Sequence, residues 1–527
     1  MLGCSLVACQ QFDMPYFQNV RGLALQRVLA TVCAVAFLRQ GYDQSVMNGL
    51  LTLNAFLSTM PEIDTLHTTG AENGHNANVQ GATVAIYEVG CAFGALSVIL
   101  FGDRIGRPKL ILTASCIVII GVVFQAAAYS LGQLIAGRII TGLGVGIYTA
   151  IIPMYISETA HAKHRGPLVL LDGVFALSGI VLAAWLNFRF YYVKGAVNWR
   201  FPIAFQLIFA LFMISVQPIL PESRRWLIKK DRLDEGQNVI SRLMEKSPGS
   251  FEVSREVAII NSALHDDHRF GQKSSSQGIF SLGPDRHLYR TLIVVTAPII
   301  TQMTGISIIP FYSNTILEST LSGSIARIVS ACMHIMLVIG AIIGCLLVER
   351  VGRRKLMLFS TGSMVVCQAS VAGLSSDLKN PTTGKVALVF YFLAMLLLPI
   401  GMFMVPFMHA SEISPVAMRQ TYAGMAAASS WLFNFLIAEI TPVGIANITW
   451  KYYLIYASCS AAATVGIYFF YPETQGRSLE QINQIFRQST SIFDPVKLSL
   501  EPPVDSDSLD GGYEEIPGNR GNFVSLR

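Results

Sequence analysis

The chain has 527 residues, of which 52% are hydrophobic and 13% are charged. Ordinary soluble domains contain about 25% charged residues, so this composition excludes a typical soluble globular protein. The formal net charge is only +5, which gives no support to binding of nucleic acid.

The apolar residues fall into about twelve runs of roughly 20 residues, each long enough to cross ~30 Å of hydrocarbon as a helix. A helix satisfies its own backbone hydrogen-bonding groups, which is why lipid tolerates it. We therefore predict an all-α, multi-pass membrane protein. In chain order the predicted spans lie near residues 24–49, 78–101, 109–128, 131–155, 167–188, 200–220, 290–316, 324–348, 355–374, 385–409, 419–440 and 451–471.

The first predicted span contains two ionisable residues, Arg39 and Asp43. An ionised group at the centre of a bilayer costs roughly 2.5–3.5 kcal/mol on insertion scales, and such residues usually mark a functional site. Positions i and i+4 share one face of a helix. The Arg39 side chain can therefore reach the Asp43 carboxylate within this span.

Basic residues concentrate in alternate loops, at 103–109, 161–165, 222–288 and 349–355. The loop at 52–76 contains no Lys or Arg. Cytoplasmic loops of membrane proteins carry an excess of these two residues. We therefore predict that both termini and the long 222–288 loop face the cytoplasm.

Three short motifs occur twice in the chain, in the same order and roughly 250 residues apart. The pairs are DRIGRPK at 103–109 and ERVGRRK at 349–355, SE at 157–158 and at 411–412, and PE at 221–222 and at 472–473. One such pair arises by chance, but three in register indicate an internal duplication. Two six-helix halves joined by a loop form the plan of a parallel-repeat transporter.

This duplication divides the chain into five predicted parts. They are a cytoplasmic N-terminus (1–23), an N-terminal six-helix bundle (24–220), a cytoplasmic linker with short helices (221–289), a C-terminal six-helix bundle (290–471) and a cytoplasmic tail (472–527). The linker contains stretches that suit amphipathic surface helices. The end of the chain is acidic and rich in Pro, Gly and Ser, so we predict that the tail is largely disordered.

Several motifs resemble those of the sugar porters of the major facilitator superfamily, most closely the filamentous-fungal branch. The resemblance spans roughly residues 25–485 and implies the major facilitator fold, with twelve transmembrane helices in two pseudo-symmetric six-helix bundles. It also implies the plasma membrane as the location. The motifs are GYDQ (41–44), GDRIGRPK (102–109), GRIITGLGVG (137–146), PMYISETA (153–160), PESRRWL (221–227), VERVGRRK (348–355) and YPETQGRSLE (471–480).

The resemblance implies a cytoplasmic gate, in which basic and acidic side chains form a salt-bridge lock that holds the cytoplasmic side shut. Breaking this lock as the two halves rock gives alternating access. Pro108 stands where the family usually has a second arginine, which predicts a weaker lock in the first half. The gate residues are Asp103, Arg104, Arg107, Glu158, Arg165, Glu222, Glu349, Arg350, Arg353, Arg354, Glu412, Arg419 and Glu473.

The resemblance also implies a proton-coupling site. In proton-coupled relatives an acid in the first span faces an arginine in the fourth, and Asp43 and Arg138 occupy those positions. Arg39 is a departure, because the family usually has an apolar residue there. Three interpretations of Arg39 stay open: it competes with Arg138 for the Asp43 carboxylate, it snorkels toward an interface, or it lines the cavity and meets an anionic or strongly polar substrate.

The family's sugar-binding positions transfer to this chain with a mixed result. Gly173, Thr301 and Ser307 replace amide residues of the family, so the predicted pocket is poorer in amides than a standard hexose pocket. The aromatic residues are also consistent with simple helix packing. The predicted substrate-binding residues are Gln302, Thr301, Ser307, Gly173, Asp172, Phe311, Tyr312, Met402, Trp431 and Asn434.

The leading functional prediction is a secondary active transporter, a proton-coupled symporter of a sugar (hexose or related) or a polyol. The alternatives are a passive sugar facilitator, a transporter-like nutrient sensor or receptor, and a quinate or sugar-acid transporter. An enzyme is not expected, because the sequence shows no nucleophile–base set, phosphate loop or metal cluster. The expected partners are the substrate and the lipid bilayer, with no nucleic acid and a monomeric state. No cofactor is expected, and the proton is the predicted coupling ion.

Overall fold

The computed structural model describes residues 20–159, 165–258, 260–261, 278, 280–283, 285–318, 321–376, 381–415, 418–477 and 479–501. Within these ranges, 12 helices are long and apolar enough to cross a membrane. The all-α, twelve-span prediction is therefore confirmed. The predicted cytoplasmic N-terminus lies almost entirely outside the described residues.

We label the membrane-spanning helices α1–α12 in chain order. Those of the first half are Gly22–Leu50 (α1), Gly70–Ile105 (α2), Arg107–Ala126 (α3), Leu131–Thr159 (α4), Arg165–Tyr191 (α5), and Val197–Ala204 continued by Gln206–Val216 (α6). Those of the second half are His287–Met303 continued by Ile308–Glu318 (α7), Gly323–Val351 (α8), Arg353–Ser375 (α9), Pro381–Met402 continued by Val405–Ile413 (α10), Arg419–Ile448 (α11), and Lys451–Phe470 (α12).

The two faces of the bundle are named by the segments that they carry. The terminal face carries the start of α1, the tail and the α2–α3 and α8–α9 turns. The distal face carries the loop between α1 and α2, which includes the short helices Asn54–Leu57 and Pro61–Ile63.

Three of the spans, α6, α7 and α10, consist of two helical segments each. The first segment of α7 ends at Met303 and the second begins at Ile308, and Gly305 between them has a φ of +84°. Glycine adopts this left-handed conformation without the steric cost that a side chain brings. Broken helices in transporters place free backbone groups and polar side chains beside a central cavity.

Glycines allow close approach of neighbouring helices within the first half. A methyl group at Gly41 of α1 would collide with the Ala176 carbonyl of α5, and one at Gly179 of α5 would collide with the Leu38 carbonyl of α1. Small residues at such crossings let backbones pack closely inside a membrane, where the hydrophobic effect between helices is weak. This contact fixes α1, which carries Arg39 and Asp43.

The two halves have separate apolar cores that touch along a seam. One core is formed mainly by α1–α6 and the other mainly by α7–α12. Across the seam α2 packs along α11, and α5 packs along α8. The interior side chains discussed below lie at or near this seam.

Short helices occupy the segment between the halves. Arg224–Lys229 and Leu233–Met244 are helical, and residues 251–258 form another helix. Ile228, Ile240 and Val253 form a small apolar cluster of their own. These helices lie on the terminal face beside the first half, where Arg242 donates a hydrogen bond to the Val20 carbonyl.

The prediction of a largely disordered tail is wrong for residues 479–501. This segment forms the helices Leu479–Gln488 and Asp494–Leu500. Ile482, Ile485 and Phe486 are buried, and their i, i+3, i+4 spacing is that of one helix face. Overall composition does not reveal such a short amphipathic pattern. Residues 502–527 lie outside the described residues.

Charged groups hold the tail to the start of the second half. Arg487 Nε donates to Asp285 Oδ1 at 2.5 Å, and Arg286 donates to the Ser489 carbonyl at 2.7 Å. The hydrogen bond from Arg487 holds the pKa of Asp285 below its ordinary value. At neutral pH this carboxylate is therefore ionised and available to bind the tail.

We expect Gly179→Ala to destabilise the first half, because the added methyl group meets the Leu38 backbone and forces α1 away from α5. The expected cost is about 1–3 kcal/mol. Thermal unfolding of purified protein in detergent, followed by fluorescence-detected size exclusion, measures it. Gly362→Ala on α9 is the matched control, since a methyl group there meets nothing within 4 Å. Equal midpoints for the two variants would contradict the packing argument.

Candidate transport site

A buried ion pair lies within α1. Arg39 Nη2 donates to Asp43 Oδ2 at 2.7 Å, and both side chains are 1% exposed. The Arg39 guanidinium also lies 5.7 Å from the centre of the Tyr148 ring on α4. In this conformation Arg39 therefore binds the Asp43 carboxylate of its own helix and does not snorkel toward an interface.

Arg138 of α4 lies near the same carboxylate but makes its shortest polar contact elsewhere. Its Nη2 donates to the Val84 carbonyl of α2 at 2.7 Å, and its guanidinium lies 5.2 Å from the centre of the Tyr87 ring. The positive charge of Arg138 still acts on Asp43. The predicted pair is thus brought into one region, with Arg39 as the direct partner of Asp43.

Glu88 of α2 is an interior acid that the sequence analysis missed. Its side chain is fully buried, and the charge of Arg138 and the Asn434 amide both act on its carboxyl group. The signal was present, because Glu88 lies in the predicted span 78–101. The rule that marked Asp43, that an ionisable residue within a span is functional by default, applies equally to Glu88.

In the second half, the break in α7 places a small polar network against α11. Gln302 Nε2 donates to Ser430 Oγ at 3.1 Å, and Ser307 Oγ donates to Gln302 Oε1 at 2.9 Å. The Thr301 hydroxyl instead donates to the Ala297 carbonyl of its own helix at 3.2 Å. Gln302 and Ser307 therefore contact each other, while Thr301 is buried beside them.

Trp431 and Asn434 lie on α11, one turn apart. Trp431 Nε1 donates to Thr149 Oγ1 of α4 at 3.2 Å, and its ring meets the Tyr87 ring edge-on at 6.5 Å. Both contacts cross the seam between the halves. The Asn434 side chain is fully buried next to Glu88. These predicted residues of the second half thus meet the charged residues of the first.

The aromatic pair of α7 is packed rather than open. Phe311 and Tyr312 are both buried, and Tyr312 Oη donates to the Ala438 carbonyl of α11 at 2.7 Å. In this conformation Tyr312 ties the second segment of α7 to α11. It also lines a distal cavity of about 360 Å³, whose wall includes Gln80 and Tyr453.

The remaining predicted binding residues lie at other contacts. A methyl group at Gly173 of α5 would collide with the Met404 side chain at the break in α10, so this glycine permits a contact between the halves. Asp172 is buried, and its charge acts on Cys33 of α1. Met402 is buried in the apolar core of the second half.

Polar contacts also join the halves at the distal end of α1. Asn48 Nδ2 donates to Ser313 Oγ at 2.8 Å, and the Asn314 backbone N–H donates to Asn48 Oδ1 at 3.0 Å. Arg327 of α8 donates to the Gly49 carbonyl at 3.0 Å. The last carbonyls of a helix have no partner within the helix, so Arg327 caps α1. The sequence analysis did not find this distal clasp, formed by Asn48, Gly49, Ser313, Asn314 and Arg327.

On the terminal face, the first-half gate residues form one cluster. Arg107 Nε and Nη2 donate to the two carboxylate oxygens of Glu158, both at 2.9 Å. Glu222 Oε1 accepts the Arg107 backbone N–H at 2.9 Å and so caps the start of α3. Burial raises the pKa of Glu222 above its ordinary value, against the opposing effect of the backbone N–H groups of Arg107 and Ser223.

The second half repeats this cluster. Arg353 Nη2 donates to Glu412 Oε1 at 3.0 Å and to Glu349 Oε1 at 2.9 Å. Glu473 Oε1 and Oε2 accept the backbone N–H groups of Arg353 and Arg354, at 2.9 and 3.1 Å, and so cap the start of α9. The sequence duplication therefore corresponds to a duplicated contact between an arginine, a glutamate and a capping carboxylate.

The ion pairs of both clusters join helices of the same half. In this conformation they brace each half internally, whereas the resemblance implied a lock across the cytoplasmic side. Arg104 and Arg350 are exposed, and Arg419 is half-buried at the start of α11. The side chains of Asp103 and Arg165 lie outside the described residues.

Comparison with known proteins identifies the family. The family described as "Sugar (and other) transporter" matches residues 29–486. The chain belongs to the sugar transporter family of the major facilitator superfamily. It is therefore a multi-pass membrane transporter and not an enzyme.

Two fungal relatives match most of the chain. The MFS-type transporter oryC of Aspergillus oryzae is 35% identical over 488 residues, which cover 91% of this chain and 88% of the relative. The sugar transporter STL1 of Saccharomyces cerevisiae is 34% identical over 478 residues, which cover 89% of this chain and 83% of the relative. This family member is thus similar to fungal transporters along nearly its whole length.

The fold is that of a solved transporter. The proton:xylose symporter XylE, bound to 6-bromo-6-deoxy-D-glucose, superposes with a TM-score of 0.74 at 22% identity. The match covers 88% of this chain and 99% of that chain. This likeness establishes the major facilitator fold.

We expect Arg107→Gln and Arg353→Gln to lower the stability of the transporter, because each leaves a largely buried glutamate without its arginine. Breaking a buried pair in this way costs about 3–5 kcal/mol. Thermal unfolding in detergent and the amount of protein in the membrane measure the loss. Arg104→Gln and Arg350→Gln are matched controls from the same motifs, since both arginines are exposed. If all four variants behave alike, the clusters do not brace the halves.

Proposed function

We propose that this transporter is a secondary active symporter that couples proton entry to the uptake of a neutral sugar or polyol by alternating access. The observation that carries the proposal is the Asp43 carboxylate, 1% exposed within a membrane span and 2.7 Å from the Arg39 guanidinium. A carboxylate is costly at this depth. Its retention at the seam, near a second arginine, is what a titrating coupling site requires.

The proposed coupling step is protonation of Asp43. While ionised, the carboxylate binds Arg39, and the charge of Arg138 acts on it from α4. A proton on Asp43 removes its negative charge, so both guanidinium groups lose an attractive partner and the interior gains net positive charge. A proton that enters down a 100 mV potential contributes about 2.3 kcal/mol, which corresponds to roughly 50-fold accumulation of substrate.

The polar groups near the seam support a neutral substrate with several hydroxyl groups. Gln302, Ser307 and Ser430 provide amide and hydroxyl groups on one side, and Trp431 provides an aromatic face. Sites for small polar ligands combine a few such groups with apolar or aromatic walls. The similarity of this chain to the yeast sugar transporter and to the proton:xylose symporter supports this class.

The interior charges argue against the quinate or sugar-acid alternative. Among the described residues near the seam, the buried acids are Asp43, Glu88 and Asp172, and the buried arginines are Arg39, Arg138 and Arg327. Arg327 already has an acidic partner, Glu318, at 3.3 Å. An anionic substrate would therefore meet no surplus of arginines over acidic side chains there.

The orientation follows from the positive-inside rule. The terminal face carries the exposed Arg104 and Arg350, whereas the distal loop carries Glu62 and Asp64 and no Lys or Arg. We therefore infer that the terminal face, with both termini, is cytoplasmic. The proposed location is the plasma membrane, and the proposed functional unit is a monomer in the lipid bilayer.

Asp43→Asn should abolish accumulation against a gradient while equilibrium exchange of substrate continues. The amide cannot carry the proton, yet it keeps the shape of the side chain. Radiolabelled uptake in transport-deficient yeast, with and without a protonophore, measures accumulation, and counterflow in vesicles measures exchange. Wild-type uptake should fall when the protonophore is added.

Glu62→Gln is the control for that variant, because Glu62 is an exposed acid of the distal loop. It should accumulate substrate as the wild type does. Accumulation by Asp43→Asn, or wild-type uptake that never exceeds equilibrium, would instead indicate a passive facilitator. Surface protein without any uptake would indicate a sensor.

A substrate panel tests the neutral class. D-glucose, D-xylose, D-sorbitol and glycerol should include at least one transported solute, while quinate and gluconate should be taken up at least about tenfold more slowly, since about 1.4 kcal/mol of charge repulsion gives that factor. The measurement is initial-rate uptake at one pH with equal label. Preferred uptake of either anion would overturn the neutral class.

A further inference from the structure

Glu88 is a fully buried acid that the coupling step does not use. It lies on α2 at the seam between the halves. Neither of its carboxylate oxygens completes a hydrogen bond of ordinary geometry in the structure. Buried polar groups in proteins are nearly always satisfied, and each exception calls for an explanation.

A second unsatisfied group lies beside it on the other half. Asn434 of α11 is fully buried, and neither its amide nitrogen nor its amide oxygen completes a hydrogen bond. The Asn434 amide lies within hydrogen-bonding reach of the Glu88 carboxyl group across the seam, but their contact falls short of ordinary hydrogen-bond geometry. Two adjacent buried groups with unused hydrogen-bonding capacity can bind a polar ligand that reaches both of them.

The surroundings of the pair suit a hydroxylated ligand. Arg138 supplies the charge that balances Glu88. Trp431 lies one turn before Asn434 on α11, and its ring packs against Tyr87, the neighbour of Glu88. An aromatic wall beside a carboxylate and an amide provides an apolar face for C–H groups and acceptors and donors for hydroxyl groups.

We propose that Glu88 is a substrate-specificity residue, and that its carboxylate together with the Asn434 amide binds two adjacent hydroxyl groups of the transported sugar or polyol. The carboxylate accepts one hydrogen bond from each hydroxyl, and the amide donates to a hydroxyl oxygen. The inference rests on the proposed function and identifies a residue of the first half that recognises the hydroxyl groups of the substrate. Because the pair spans the seam, a bound diol holds the two halves together at this level.

The test is an exchange experiment with deoxy analogues. Vesicles that contain wild-type protein or Glu88→Gln are loaded with whichever of D-glucose, D-xylose, D-sorbitol or glycerol exchanges fastest. Its singly deoxy analogues then compete for exchange at equal pH on both sides. In the wild type, loss of either hydroxyl that Glu88 binds should raise the half-inhibitory concentration about tenfold or more, because a hydrogen bond to a charged group is lost.

In Glu88→Gln the half-inhibitory concentrations of those same analogues should exceed that of the parent solute by less than about threefold. Analogues that lack other hydroxyls should keep the increase in half-inhibitory concentration that they show with the wild type. Glu72→Gln is the matched control, since Glu72 is an exposed acid near the distal end of the same helix. If Glu88→Gln does not reach the membrane, Asn434→Ser is judged by the same criterion. If every variant shows the same increases in half-inhibitory concentration as the wild type, the proposal is overturned.

Failure of this inference is distinguishable from failure of the proposed function. Exchange at equal pH needs no proton gradient, so it does not depend on Asp43. A wild type that exchanges none of the four solutes would overturn the proposed substrate class. A wild type that exchanges one of them, with identical analogue penalties in Glu88→Gln, would overturn only the role of Glu88.

Discussion

The ion pair between Arg39 and Asp43 is the interaction on which the interior depends. Both residues lie on α1, so the pair neutralises two buried charges without linking α1 to another helix. A pair between α1 and α4 would have to break whenever those helices move, and breaking a buried pair costs about 3–5 kcal/mol. Arg39 thus gives the buried Asp43 a partner that moves with it when α1 moves against α4.

The two halves share their terminal-face clusters but differ in the interior. Arg107, Glu158 and Glu222 have counterparts in Arg353, Glu412 and Glu473, with nearly equal distances. The buried charges Arg39, Asp43, Glu88 and Arg138 all belong to the first half, whereas the amide and hydroxyl network of Gln302, Ser307 and Ser430 belongs to the second. The contacts that brace each half are therefore duplicated, whereas the buried groups differ: the second half adds His334 and Arg327 to its neutral network and has no counterpart of the Arg39–Asp43 pair among its described residues.

The sequence predicted those parts of the structure that one strong physical constraint decides. Bilayer thickness sets the length of an apolar span, so the twelve helices could be predicted from the sequence. The partner of Asp43 could not be predicted from the sequence, because Arg39 and Arg138 are both within reach and only side-chain packing determines which of them binds the carboxylate. The distal clasp of Asn48 and Arg327 depends on contacts between residues more than 250 positions apart. Glu88 carries the same local signal as Asp43, an ionisable residue within an apolar span, but only the packing of α2 against α4 and α11 places it beside Arg138 and Asn434.

Helix α1 connects the features that the proposed alternating access has to coordinate. Asp43 lies six residues before Gly49, about 9 Å along a helix with a rise of 1.5 Å per residue. Gly49 accepts the hydrogen bond of Arg327, and Asn48 beside it contacts Ser313 of α7. An α-helix of this length moves nearly as one body, so a displacement of α1 that follows a change of charge at Asp43 also displaces the carbonyl that Arg327 holds. The buried acid and the distal clasp are therefore mechanically linked through a single helix, without a chain of intermediate side chains between them.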